Sequence, residues 1–257
     1  MIGFLLAFGL VAGHDGGAPV TVKYRIEQQL ETRVDLSQFG QGEQVQNQRF
    51  VWFTTITYAD SAGGHALDAV LDSLEIDLGI VPIPPGSVDS ARGAAFHGFL
   101  NSWGRMTELS AATQKSTFAA LFESQLRGLH PRRKPGASAG EHWTDTLTVD
   151  TKTGQGETQL TTITTFTQGG AEPHAGRPAT RLGATFTMTT TGTVETPGGP
   201  AGLDGKGSGT ATYYTGEDGR LLGVISAANG AGTVTLTMSP TAIGLKTSAT
   251  ITITVIK

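Results

Sequence analysis

Residues 113–129 read TQKSTFAALFESQLRGL, the stretch of this chain with the firmest helical periodicity. Phe118, Leu121, Phe122, Leu126 and Leu129 recur at three- and four-residue spacing, which places them on one face of a helix predicted over about Thr113 to Arg127. Gly128 and then Pro131 are its stop signals. An apolar stripe on a lone helix needs a surface to cover. The rest of the chain reads as strand, so that surface is expected to be a sheet.

Upstream of the helix, Val20, Val22, Tyr24, Ile26 and Leu30 share one parity, with Lys23, Arg25 and Glu27 on the other, the pattern of a half-buried antiparallel strand. Gly40 and Gly42 punctuate a turn, after which Phe50, Trp52, Ile56 and Tyr58 share a parity interrupted only by Thr54. The two runs are expected to pair as a long hairpin. Ala66 to Leu78 fits two templates: Leu67, Val70, Leu71, Leu74 and Leu78 make a helical stripe, while Val70, Leu74, Ile76 and Leu78 make a strand face. Strand is the preferred reading. Val81 to Ser90, with Pro82, Pro84, Pro85 and Gly86, continues neither element and reads as a surface loop. Phe96 to Leu100 and Arg105 to Leu109 flank Asn101-Ser102-Trp103-Gly104, a four-residue hairpin loop.

Downstream of a loop over 130–140, strand-like runs follow near Trp143 to Thr151, Thr158 to Thr167, Arg181 to Glu195, Gly209 to Thr215, Leu221 to Ala227, Thr233 to Met238 and Thr247 to Ile256. Glu217-Asp218-Gly219 is a hairpin turn signal, and in the last run Ile251, Ile253 and Val255 alternate with Thr250, Thr252 and Thr254. The expected fold is mainly β (α+β): a strongly curved antiparallel sheet or incomplete barrel of about 10–11 strands, packed around one amphipathic helix and forming a single domain over 20–257.

Composition narrows the function classes. The 257 residues include 36 Gly, no Cys and a net charge of -4, which excludes disulfide scaffolds and thiolate metal sites and offers no basic footprint for nucleic acid. Met1 to Gly13 is apolar and uncharged, too short for a membrane-spanning helix, and reads as a secretory signal followed by a flexible segment over 14–19. No later run approaches 18 apolar residues, so the expected product is secreted or periplasmic, without a transmembrane span.

Three stretches carry a family resemblance: Gly93-Ala94-Ala95-Phe96 leading into Asn101-Ser102-Trp103-Gly104; Pro131 and Pro135 followed by Gly140-Glu141-His142-Trp143; and Gly219 in a late hairpin. Together they resemble an exported bacterial family of unknown function. At the level of architecture, a sheet embracing a helix looks like the LolA and LprG-type lipoprotein carriers. That resemblance implies an acyl chain held between sheet and helix. Carriers of that kind often bear an acylated N-terminal Cys, which this sequence lacks.

Candidate chemistries are sparse. His14, freed by cleavage after Gly13 and joined by His65, His97, His142 or His174, would resemble a histidine brace, but Gly16-Gly17 beside it makes a loose end. Glu141 and His142, with Ser138 or Ser110 as nucleophile, would need neighbours in a strand to act on one group, and neighbours point to opposite faces. Gly205-x-Gly207-x-Gly209 is read as turn glycine rather than a phosphate loop, and Asp68, Asp72, Glu75 and Asp77 as a solvated face. Arg127, His130, Arg132, Arg133 and Lys134 form a basic knot read as an exposed connector, with anionic lipid headgroups as the alternative contact. No catalytic, metal or cofactor residue is nominated. Phe50, Trp52, Ile56, Phe118, Leu121, Phe122 and Trp143 are the candidate lining of an apolar site beneath the helix. The function expected is non-enzymatic: an exported envelope protein holding a lipid or other hydrophobic small molecule. The alternatives are a ligand-free structural or surface-assembly module and, third, a hydrolase.

Overall fold

The computed structural model describes residues 18–79, 82, 83, 85–112, 116–153, 156–196, 199–237 and 241–256. The predicted signal over Met1 to Gly13 and His14 lie outside the described residues, as does the predicted helix start at Thr113. Eleven strands form one antiparallel sheet: β1 (Val20–Asp35), β2 (Glu43–Ser61), β3 (Gly64–Asp77), β4 (Ala95–Asn101), β5 (Met106–Ala111), β6 (His142–Thr153), β7 (Gly156–Ala171), β8 (Thr180–Thr196), β9 (Gly199–Thr215), β10 (Leu221–Leu236) and β11 (Ala242–Ile256). Among the described residues one α-helix, α1 (Thr117–Leu129), joins β5 to β6. The spatial order is β5-β4-β3-β2-β1-β11-β10-β9-β8-β7-β6. Each strand therefore pairs with its chain neighbours, except that β1 and β11 meet mid-sheet and α1 carries the chain from one edge to the other. Among the described residues no helix is long and apolar enough to cross a membrane.

The expected β1–β2 hairpin is present, running from Val20 opposite Tyr58 to Asp35 opposite Glu43. Thr54, the polar interruption, is buried and donates its hydroxyl to the Val70 carbonyl at 2.7 Å, so it satisfies itself within the core. The segment with two readings is a strand, and its ambiguity has a structural cause. Asp72 is a bulge, because Phe53 faces Ser73 while Thr54 faces Leu71. The extra residue switches the inward set from Leu67, Ala69 and Leu71 to Leu74, producing three- and four-residue spacings in a strand.

Three expectations are corrected. The helix passes through Gly128 and ends at Leu129, because the backbone turns extended at His130 ahead of Pro131. The run near Leu221 to Ala227 and the start of the run near Thr233 to Met238 belong to one strand, β10, which ends at Leu236 and has Gly230 and Gly232 inside it, while Met238 lies outside the described residues. Gly205, Gly207 and Gly209 are not turn residues but lie inside β9, opposite Thr190, Met188 and Phe186 of β8. A Cβ on Gly209 would sit 2.5 Å from Phe186 Cζ and 2.4 Å from the Ala227 carbonyl oxygen. The ring of Phe186 occupies the space that a side chain there would need, a cross-strand aromatic–glycine pair.

Two apolar clusters form the interior. The larger joins the helix residues Ala119, Phe122, Leu126 and Leu129 to Tyr24, Ile26, Trp52, Ile56, Leu67, Phe96 and others of β1–β5, with Leu221, Val224 and Ile253 from β10 and β11. The smaller joins Phe166, Leu182, Ala184 and Ala211 of β7–β9, flanked by half-buried Trp143, Phe186 and Tyr213. On the opposite face of β8, Thr185, Thr187, Thr189, Thr191 and Thr193 are exposed.

Candidate functional site: the hollow beside the helix

The helix is anchored to one side of the sheet. Ser116 caps it, its hydroxyl oxygen accepting from the Ala119 amide at 3.2 Å. Phe122 meets Phe96 of β4 edge-on with ring centroids 5.7 Å apart. Arg127 donates to Glu123 at 2.8 Å and to the Leu109 carbonyl of β5 at 3.1 Å. The flank turned the other way carries Ser124, Gln125 and Gly128, and Gln125 donates to Gln28 of β1 at 3.3 Å. Between that flank and the sheet lies a hollow of about 300 Å³. Its walls include Ile26, Val224, Ile251 and Ile253 beside the larger cluster, and Leu147, Val149, Leu160, Phe166, Phe186 and Tyr213 on the side of the smaller one. The volume stands at the lower end of small-molecule pockets, about 300–1,000 Å³. A Cβ on Gly128 would meet no atom within 4 Å, so the helix presents open space where an ordinary residue would project.

One end of the hollow is polar. Arg132 donates through Nε to Asp145 of β6 at 3.0 Å and through Nη1 to the Gly104 carbonyl at 2.7 Å, and Asp145 also accepts from Arg105 beside the β4–β5 loop. Trp143 donates its indole N–H to the Arg132 carbonyl at 3.0 Å. Gly104, at φ 73°, is required here twice over, since a Cβ would fall 2.1 Å from the Pro131 carbonyl oxygen. The segment read as an exposed basic connector is thus corrected: His130, Pro131 and Arg132 are buried, Arg127 and Lys134 are paired with Glu123 and Glu141, and the chain is threaded between the β4–β5 loop and β6.

His130 adjoins a buried hydroxyl chain. Its Nε2 is 3.3 Å from Tyr58 Oη, which is 3.1 Å from Tyr24 Oη, and Tyr24 donates to the Leu221 carbonyl at 2.9 Å. Burial, reinforced by the charge of Arg132, holds His130 down at about 3, and burial pushes Tyr24 up to about 12, so the chain is uncharged at neutral pH.

The seven nominated lining residues are placed as follows. Trp52, Ile56 and Phe122 are interior members of the larger cluster, Phe50 and Phe118 pack against it, and Phe50 stacks on Trp52 at 5.2 Å. Leu121 is 43% exposed, and Trp143 stacks on Phe166 at 5.8 Å in the smaller cluster. None of the seven borders the hollow. Of the residues that do border it, Ile26, Ile251 and Ile253 were visible as strand alternation and Leu129 as part of the helical stripe, while Leu147, Val149, Leu160 and Phe166 lay unremarked within strand-like runs. Glu141 and His142 diverge, the first paired with Lys134 and the second hydrogen-bonded to Thr167 at 2.9 Å. Asp68, Asp72, Glu75 and Asp77 are exposed; Asp68 contacts His97 and Asp72 accepts from Thr55. No protein-family model, curated protein or solved structure matches this chain.

Proposed function

We propose that this chain is a non-enzymatic, exported envelope protein that holds the apolar part of a small molecule, an acyl chain, in the hollow between α1 and the sheet. The observation that carries the reading is an apolar-walled space of about 300 Å³ lying between two clusters, with no side chain of either filling it. In this reading the sheet is strongly curved, an incomplete barrel with β5 and β6 as its unpaired edges. Support comes from Asp145 on edge strand β6, which forms an ion pair with Arg105 in the loop that leads to edge strand β5. The apolar run Met1 to Gly13 supports an exported address.

The test uses Gly128, the helix glycine that borders the hollow. Native mass spectrometry and titration with a fluorescent fatty acid are expected to show one acyl chain bound per protein, and Gly128→Leu to abolish uptake while the fold is retained. A chain that takes up no probe overturns the reading. The rival reading, an assembly module, rests on β6, an edge of 12 residues paired to β7 in unbroken register. It predicts concentration-dependent association in size-exclusion chromatography, whereas the carrier reading predicts a monomer.

A further inference from the structure

Arg132 and Asp145 line two adjoining hollows at once. One is the apolar hollow; the other is a second hollow of about 340 Å³, lined by Asn101, Trp103, Arg105, Trp143 and Thr144 together with the same Arg132 and Asp145. The two spaces differ in chemistry. The first is walled mainly by aliphatic and aromatic side chains, with Thr162, Thr164 and Ser226 among them, and the second by two indoles, two guanidinium groups and one carboxylate, with Asn101 and Thr144.

We propose that the second hollow is a headgroup subsite, and that the cargo is an anionic amphiphile whose chain lies in the first hollow and whose phosphate or carboxylate lies against Arg105 between Trp103 and Trp143. This rests on the acyl-chain reading above and adds the chemical class of the ligand.

Charge decides the sign. Asp145 is the one carboxylate lining this space, and it is shared by Arg132 at 3.0 Å and by Arg105, so the trio carries one net positive charge. Arg132 is spent on Asp145 and the Gly104 carbonyl and is nearly buried, whereas the Arg105 side chain is 51% exposed and keeps donors facing outward. The frame is rigid. Asn101 Oδ1 accepts from the amides of Trp103 and Arg105 at 3.0 and 2.9 Å, and the Trp103 carbonyl accepts from the Arg133 amide at 2.7 Å. Trp103 is nevertheless 49% exposed, a large apolar ring held at the surface beside a cationic group. An indole face, an available guanidinium and an adjoining apolar hollow together match a molecule with a charged end and a hydrocarbon end.

The experiment compares dodecyl phosphate with dodecanol, two probes of one chain length, by isothermal titration against the full chain. Dodecyl phosphate is expected to bind about tenfold tighter or more, the scale of one charge-assisted contact, and Arg105→Ala to bring it down to the affinity of dodecanol. Dodecyl phosphate is expected to shift the tryptophan emission more than dodecanol does, with the excess shift reduced in Trp103→Phe. Equal affinities for both probes, or a phosphate preference that survives Arg105→Ala, overturn the headgroup subsite while leaving the apolar hollow as the chain site. Failure of both probes to bind overturns the acyl-chain reading and this inference with it.

Discussion

The two sides of the sheet interior solve the same burial problem differently. Around β1–β5 the helix lies on the strands, and Tyr24, Ile56, Leu71 and Phe122 are all at 0% exposure. Around β6–β9 no helix of the described residues covers the strands; Trp143, Phe186 and Tyr213 are only half-buried, and the inward positions further along are Gly205, Gly207 and Gly209. The reason is one of length. A helix of 13 residues is about 20 Å long, while strands of 15–17 residues run about 50 Å. One short helix can seal one region, and the boundary of what it seals is where the hollow lies. A continuous core needs a cover as long as its sheet; where the cover stops, the chain substitutes glycine and threonine for bulk.

The contrast yields predictions of decreasing size. Phe122→Ala should cost about 3–5 kcal/mol in urea unfolding, the range for emptying a sealed aromatic site, and Phe186→Ala on the uncovered side clearly less, about 1–2 kcal/mol. Equal costs would show that the two regions are packed alike. Next is pH. His130, held down at about 3 by burial from an ordinary 6.5, stays neutral in the folded chain while the unfolded chain takes up a proton. Stability from this group is therefore complete above about pH 6.5 and is lost as the pH falls; between pH 7 and pH 5 the loss is about 2 kcal/mol. His130→Gln should remove that slope in parallel melts at the two pH values.

Glycines give the third comparison. Gly209→Ala drives a methyl into Phe186 and the Ala227 carbonyl and should destabilise by about 1–3 kcal/mol. Gly128→Ala, with open space and helical backbone, should stabilise by about 1 kcal/mol. Thermal unfolding reads both, and the same sign for the two would break the distinction between a glycine required by packing and one that merely leaves room. Smallest is Ser116→Ala, losing the Ala119 cap for about 1 kcal/mol.

The helix, a count of about 10–11 strands and the β1–β2 and β4–β5 hairpins were legible because each rests on local periodicity and turn chemistry. The Asp72 bulge was not, since a register shift inside a strand imitates helical spacing. The glycines of β9 and β10 misled for a related reason: alone in sequence a glycine signals a turn, and only the cross-strand neighbour, Phe186 over Gly209, reveals a packing role. The site was the least legible part. Large aromatics such as Trp52 and Phe122 draw the eye to where space is filled, whereas a hollow lies where residues are smaller, and Leu147, Val149, Leu160, Ile251 and Ile253 look like ordinary strand alternation. Arg132 and Asp145, 13 residues apart and on either side of a loop, carry no sequence signal of partnership.

The most direct test of the carrier account is photo-crosslinking of the full chain with a fatty acid bearing a diazirine along its chain, with adducts mapped by peptide mass spectrometry. The account predicts adducts on the peptides holding Leu147 to Val149, Leu160 to Phe166 and Ile251 to Ile253, suppressed in Gly128→Leu. Adducts spread over the threonine face of β8, or none above an unfolded control, would contradict it.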